Sequence, residues 1–168
     1  THLAAKLGVD VPMMDALIPS NEEQIGKAVE LVKKTGAKKV AVLGVAFKPG
    51  TDDLRESPVL EMIAALQEDG VEITAYDPAI HPGPHIAKQF EYMRYAAPHL
   101  KDVVNSLPEF LRETPHAAIA EADAIVISQK LPGIGNVLKS KKEEAAVVDL
   151  IRISADARNS STYAGIGW

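Results

Sequence analysis

Two basic side chains, Lys48 and Arg55, flank a short polar run that holds Thr51, Asp52 and Asp53. On the N-terminal side lies Val40-Ala41-Val42-Leu43-Gly44-Val45, a brief apolar, β-branched stretch of the kind that forms a buried parallel strand. On the C-terminal side, Ser57 suits a helix cap and Pro58 the first helical position. Val59, Leu60, Met62, Ile63 and Leu66 then recur at helical spacing. A strand, a glycine turn and a helix N-terminus together favour an anion, because unpaired N–H groups and the helix dipole point at it. Lys48 and Arg55 add positive charge to that place. The stretch reads as a phosphate or pyrophosphate site.

The glycines do not spell a dinucleotide fingerprint. Aligned on Gly44, the G-x-G-x-x-G pattern needs glycine where Ala46 and Pro49 stand. The loop from Ala46 to Glu56 is also too long for a tight turn. The expected fold is therefore an α/β, doubly wound, Rossmann-like parallel sheet with an altered phosphate loop.

Gly44 to Ser57 reads G-x-x-F-K-x-x-T-x-D-x-R-E-S, with Phe47, Lys48, Thr51, Asp53, Arg55, Glu56 and Ser57 in the lettered places. This resembles the signature of the nucleotide-sugar 6-dehydrogenases, the UDP-glucose and GDP-mannose dehydrogenase family. Asn21 and Gln24 resemble an N-x-x-Q on that family's central helix. Thr162 to Trp168 resembles the aromatic-Gly-Trp tail of its GDP-mannose branch. The resemblance is weakest between Pro78 and Ala122.

It implies the nucleotide-sugar-binding domain of an NAD-dependent enzyme that oxidises a sugar C6 alcohol to a carboxylate. Phe47 and Lys48 would contact the substrate, and Arg55 would reach the phosphates of NAD, held mainly by another domain. Asp52, Asp53 and Glu56 would orient Arg55 and shape the loop. GDP-mannose is the first choice of substrate over UDP-glucose. UDP-glucose members carry an arginine two residues after the aspartate that matches Asp149, where this chain has Ile151 with Arg152 one place later. The family's nucleophile is a cysteine, and this chain has none. No catalytic residue is thus expected here, and the chain is expected to be a C-terminal fragment, inactive alone.

Composition narrows the alternatives. Apolar residues make up 46% and the formal net charge is −5, which argues against a nucleic-acid surface. No apolar run approaches the roughly 20 residues of a membrane helix. The lack of cysteine fits a reducing compartment, here the cytoplasm.

The remaining elements follow in order. A helix end over residues 2–8 precedes an apolar segment from Met13 to Pro19. Ser20 and Glu23 have capping-box spacing, predicting a helix from there to Thr35. Residues 1–36 are expected to form a helical arm, through which a homodimer would assemble, and 37–168 the sheet domain. A strand ends at Asp77-Pro78. Short helices are expected at 85–95, 100–107 and 115–122, strands at 123–128 and 146–150, and a surface tail over 154–168. His81 and His85 have an H-x-x-x-H spacing, but the prolines between them and the lack of further ligands argue against a metal.

Asp77 supports a rival reading, in which an acid at a strand end grips a ribose and the chain is a free-standing NAD-binding or regulatory module. The plainer role is a strand-ending turn. A third possibility is a structural oligomerisation domain that works through its arm.

Overall fold

The computed structural model describes residues 2–80, 84–153 and 162–166; the side chains of His2, Ala5, Pro84 and His85 are outside the description. The His81–His85 spacing and the final Gly167-Trp168 therefore lie outside the described residues, as does most of the predicted tail.

Five parallel strands form one sheet in the order β2-β1-β3-β4-β5. They are β1 (Lys39–Leu43), β2 (Glu72–Tyr76), β3 (Ala124–Ile127), β4 (Ala146–Asp149) and β5 (Tyr163–Gly165). Val42 lies beside Ala75 on one side and Val126 on the other, so β1 and β3 are central and bury both faces. That explains their unbroken apolar runs. The fifth strand was not expected. Residues 163–165 pair with 147–149 of β4 and extend the sheet, where the sequence suggested only a surface tail.

Before the sheet come α1 (His2–Leu7), α2 (Pro12–Asp15) and α3 (Leu17–Lys34). Ser20 does not cap a helix: α3 begins at Leu17 and runs straight through Pro19 and Ser20. A proline in a first turn removes only an N–H that has no helical partner, so the helix continues. The C-terminal half of α3 buries Ala28, Val29 and Val32 against α4 (Pro58–Glu68), whose Leu60, Ile63 and Leu66 are fully buried. Lys33 pairs with Asp69 just past α4 at 3.0 Å. The arm's later half is thus part of the core, while Leu3, Leu7, Val9, Met13, Met14, Leu17 and Ile18 remain exposed.

Helices α5 (Pro84–Ala96), α6 (Lys101–Phe110), α7 (Pro115–Ile119) and α8 (Ile134–Lys139) complete the layers. Pro108 sits within α6 rather than ending it.

Order 2-1-3 makes the space beyond the ends of β1 and β3 the topological switch point, where ligands of such sheets commonly lie. Here protein atoms fill it. Gly44 has φ +98°, and a Cβ built on it would fall 2.5 Å from Cγ of Gln129. Gln129 is buried and its Nε2 donates to the Ala46 carbonyl at 2.7 Å. The Ser128 hydroxyl sits against the carbonyls of Leu43 and Gly44. Gly44→Ala therefore combines a left-handed backbone with a clash against a packed side chain. It is expected to lower stability by about 2–4 kcal/mol, measured by urea unfolding; a loss under 1 kcal/mol would show that Gln129 moves aside freely.

Candidate functional site

The loop between β1 and α4 is built from its backbone outwards. Asp77, buried at the end of β2, accepts from the N–H groups of Val45 at 2.8 Å and Ala46 at 2.9 Å through one oxygen. Its other oxygen accepts from Ala79 at 2.9 Å. The Gly44 N–H donates to the Tyr76 carbonyl, and the Phe47 N–H to the Asp53 carbonyl at 2.7 Å. These bonds correct the expected anion nest. The amides of residues 44–47 are already paired inside the protein, and the anion that two of them hold is Asp77. They also correct the ribose role considered for Asp77, since both of its oxygens are committed to backbone.

Ser57 likewise departs from expectation. It occupies the cap position of α4, but its buried hydroxyl donates to the Val45 carbonyl at 2.7 Å and does not cap. The bond pins the far end of the loop to its beginning. Between these ties, Glu56 adopts a left-handed φ of 56°, uncommon for a residue with a side chain.

The loop consequently offers ligands its side chains. Phe47 is 46% exposed. The Lys48 ammonium lies 5.6 Å from the Phe47 ring centre. Arg55 forms a two-pronged pair with Asp53, Nε to Oδ1 at 2.9 Å and Nη2 to Oδ2 at 2.8 Å. Its guanidinium also lies 6.0 Å from the ring centre of Tyr92 on α5. The hydrogen bonds that the Arg55 guanidinium donates to Asp53 hold that carboxyl down at about 2.

Two hollows meet here. One, of about 490 Å³, lies between the loop and α5 and is bordered by Thr51, Asp53, Arg55, Lys88, Gln89 and Tyr92. The other, of about 1360 Å³, runs between α3, α4 and α5, with Asn21, Phe47, Arg55, Tyr92 and His99 in its walls. The fold thus brings Phe47, Arg55 and Asn21 to one groove. Lys48 lines neither hollow. His99 meets Glu61 at 2.8 Å on the groove wall. Among the described residues no cluster of His, Asp or Glu could hold a metal ion, and no helix is long and apolar enough to cross a membrane.

Sequence reasoning missed Tyr92, Gln129 and Tyr163. Tyr92 lies in an irregular, proline-broken region with no motif to mark it. Gln129 follows a strand end, the usual place for ligand-facing residues, and that position was the available signal. At the far edge, the Tyr163 hydroxyl donates to the buried Asp149 carboxylate, which also accepts from Ile151 at 3.0 Å and Ile153 at 2.7 Å. Burial and that carboxylate push the Tyr163 phenol above its ordinary range. Arg152 has a left-handed φ of 57° and an exposed side chain, so Arg152 and Ile151 stand on an Asp149-braced turn.

Because Asp53 titrates lower in the folded chain than its ordinary 3.8, its pair with Arg55 stabilises the fold above that value. The contribution is lost as pH falls through about 2. Both side chains are substantially exposed, so the contribution is small. An NMR titration of the Asp53 carboxyl should give a midpoint near 2. Arg55→Gln should return it to the ordinary carboxylate range, and an unchanged midpoint would place the cause elsewhere.

The sequence pattern of the UDP-glucose/GDP-mannose dehydrogenase family, UDP binding domain, matches residues 41–156. The GDP-mannose 6-dehydrogenase of Pseudomonas syringae pv. syringae is 30% identical over 100% of this chain and 37% of its own length. The UDP-glucose 6-dehydrogenase of Rhizobium meliloti is 35% identical over 77% of this chain and 27% of its own. In three dimensions the chain is similar to the 1.55 Å crystal structure of a ternary complex of GDP-mannose dehydrogenase from Pseudomonas aeruginosa. The TM-score is 0.78 at 27% identity, covering 99% of this chain and 36% of that one. The chain thus spans little more than a third of the relatives it matches in full. It belongs to the UDP-glucose/GDP-mannose dehydrogenase family of oxidoreductases and corresponds to that family's C-terminal, UDP-binding domain.

Proposed function

We propose that this domain binds the nucleotide sugar for an NAD-dependent dehydrogenase that oxidises the sugar C6 alcohol to a carboxylate, with GDP-mannose as first substrate and UDP-glucose as second. The observation that carries this reading is the meeting of Phe47, Arg55 and Asn21, from three separate places in the sequence, on one groove beside the sheet's carboxyl end. Phe47 offers an exposed ring against the substrate. Lys48, beside that ring and outside the groove's lining, reaches sugar or phosphate oxygens through its flexible stem.

Arg55 contacts the phosphates of NAD. The residues fit that group at one point only: Arg55 keeps donors beyond those given to Asp53, while the turn amides and Asp77 are already paired. The dinucleotide is therefore held mainly outside this domain. When bound, NAD accepts the hydride; this chain's share is to bind, orient and bring charge. It has no cysteine to serve as the nucleophile, so we expect no turnover from the chain alone. Pairing of Asp77 with backbone likewise weighs against an independent NAD-binding module.

A calorimetric panel of GDP, UDP and NAD against the chain tests the ligand class, with a guanine or uracil nucleotide expected above NAD. In the complete enzyme Lys48→Ala should weaken nucleotide-sugar affinity and Arg55→Ala the apparent affinity for NAD, each by about tenfold, the scale of one charge-assisted hydrogen bond. Melting temperatures should scarcely move, since both side chains are exposed. Unfolded variants with intact ligand affinities would make the loop structural.

The partner is a second copy, docked through the arm. Leu3, Leu7, Met13, Met14, Leu17 and Ile18 expose apolar surface along α1–α3, a run that water disfavours. Sedimentation at rising concentration should show dimers that disappear on trimming residues 1–18. A strict monomer throughout would refute the arm as interface.

A further inference from the structure

The large groove has one wall that comes from the edge of the sheet. Leu150, just past β4, and Ile166, just past β5, both line it. The other described lining residues come from α3, the β1–α4 loop, α4, and the stretch from Tyr92 to Leu100. β5 is three residues long and half-buried. Tyr163 stands beside Val147 and Gly165 beside Asp149, and the Val147 N–H donates to the Thr162 carbonyl at 2.7 Å. So short an edge strand has little ladder of its own, and its place depends on side-chain anchors.

Those anchors lie on both faces of the sheet. Tyr163 and Ile153 pack on the cluster that holds Leu43, Ile127 and Val147. Leu150 and Ile166 pack on the opposite cluster, with Val42, Val126 and Val148. Alternate strand residues divide between the two clusters, which therefore lie on opposite faces. The fully buried Asp149 joins them. Its Oδ1 accepts from the Ile151 N–H at 3.0 Å, and its Oδ2 from the Ile153 N–H at 2.7 Å and from the Tyr163 hydroxyl. One carboxylate thus ties the 150–153 turn to β5, and each of the two carries one residue of the groove wall.

We propose that Tyr163 is a positioning residue for this groove: by donating to Asp149 from the far face of the sheet, it fixes the turn and β5 together and so sets the wall that Leu150 and Ile166 present to a ligand. Tyr163 itself lines neither hollow, so an effect of its hydroxyl on ligand affinity has to pass through that wall. The coupling is reciprocal: a ligand seated against Leu150 and Ile166 holds β5 and the turn in place. The inference rests on the groove being the nucleotide site proposed above.

The test is amide hydrogen exchange by NMR on the whole chain, with GDP and, in parallel, UDP as probes and their affinities from calorimetry. Tyr163→Phe keeps the ring and removes only the hydroxyl. Without ligand, exchange at Val147, Ile151 and Ile153 should speed up about tenfold, the scale of one hydrogen bond to a carboxylate. The Phe47 amide, held by the Asp53 carbonyl, should exchange as before. Affinity for the nucleotide that binds should fall about threefold to tenfold, and that nucleotide should slow the same three amides in the wild type. Unchanged exchange at Ile151 and Ile153 would overturn the proposal. So would faster exchange with unchanged affinity, which would make Tyr163 a fastener of β5 alone. Should Tyr163→Phe fail to fold, the wild type decides: a bound nucleotide that leaves the three amides unprotected refutes the coupling. If the wild type binds neither GDP nor UDP, the nucleotide reading of the groove falls and takes the positioning role with it. The ligand-free exchange rates distinguish that result from a failure of the Tyr163 tie itself.

Discussion

The Asp77 carboxylate, accepting from the amides of Val45 and Ala46, fixes where the chain leaves the central strand. These amides are buried, and an unpaired buried donor costs about 1–3 kcal/mol. In dinucleotide-binding sheets a ligand phosphate meets the amides of this turn. Here a carboxylate from the neighbouring strand does so permanently, and the site changes character as a result. The turn amides are spent on protein, and the groups left exposed are the side chains of the following loop. The long polar insertion after Ala46 is the place where those side chains can be mounted.

The closure extends across the switch point. Gly44 is bare because Gln129 packs against it, and Gln129 reaches past it to the Ala46 carbonyl. Ser57 draws the other end of the loop onto the Val45 carbonyl. With its base tied on both sides, the loop stands as a ridge from which Arg55, held by Asp53, faces the hollows. Membership of the dehydrogenase family and an open groove displaced from the usual crevice are therefore compatible. The crevice is filled, and the open surface lies between α3, α4 and α5.

The four buried polar residues of the described chain, Ser57, Asp77, Gln129 and Asp149, follow one rule. Each bonds to backbone at or near the carboxyl ends of strands. Asp149 does at β4 what Asp77 does at β2, gathering Ile151, Ile153 and Tyr163. Burying a carboxylate is tolerable only with such a complement of donors. The result is a rim of paired polar groups at the carboxyl end of the sheet, and the exposed side chains of the loop are set upon it.

Much of this was legible in the sequence because it depends on local chemistry. Apolar runs of four to six residues can only be buried strands once glycine and helix signals bracket them, so β1, β3 and β4 were placed. The Gly44–Ser57 wording marked both the loop and the family, and Phe47, Lys48 and Arg55 with it. The Ser20 and Ser57 caps failed for different reasons. Ser20 lies inside a helix that had already begun at Leu17, and the Ser57 hydroxyl is taken by the Val45 carbonyl twelve residues back. Residues 163–165 became a strand only because β4 offered an open edge and Asp149 a partner for Tyr163. That the turn amides would be taken by Asp77, that Gln129 would fill the crevice and that Tyr92 would sit under Arg55 are all decided by residues roughly 30 to 85 positions apart. Local sequence carries the donors and acceptors; only the folded chain determines which of them meet each other and which are left for a ligand.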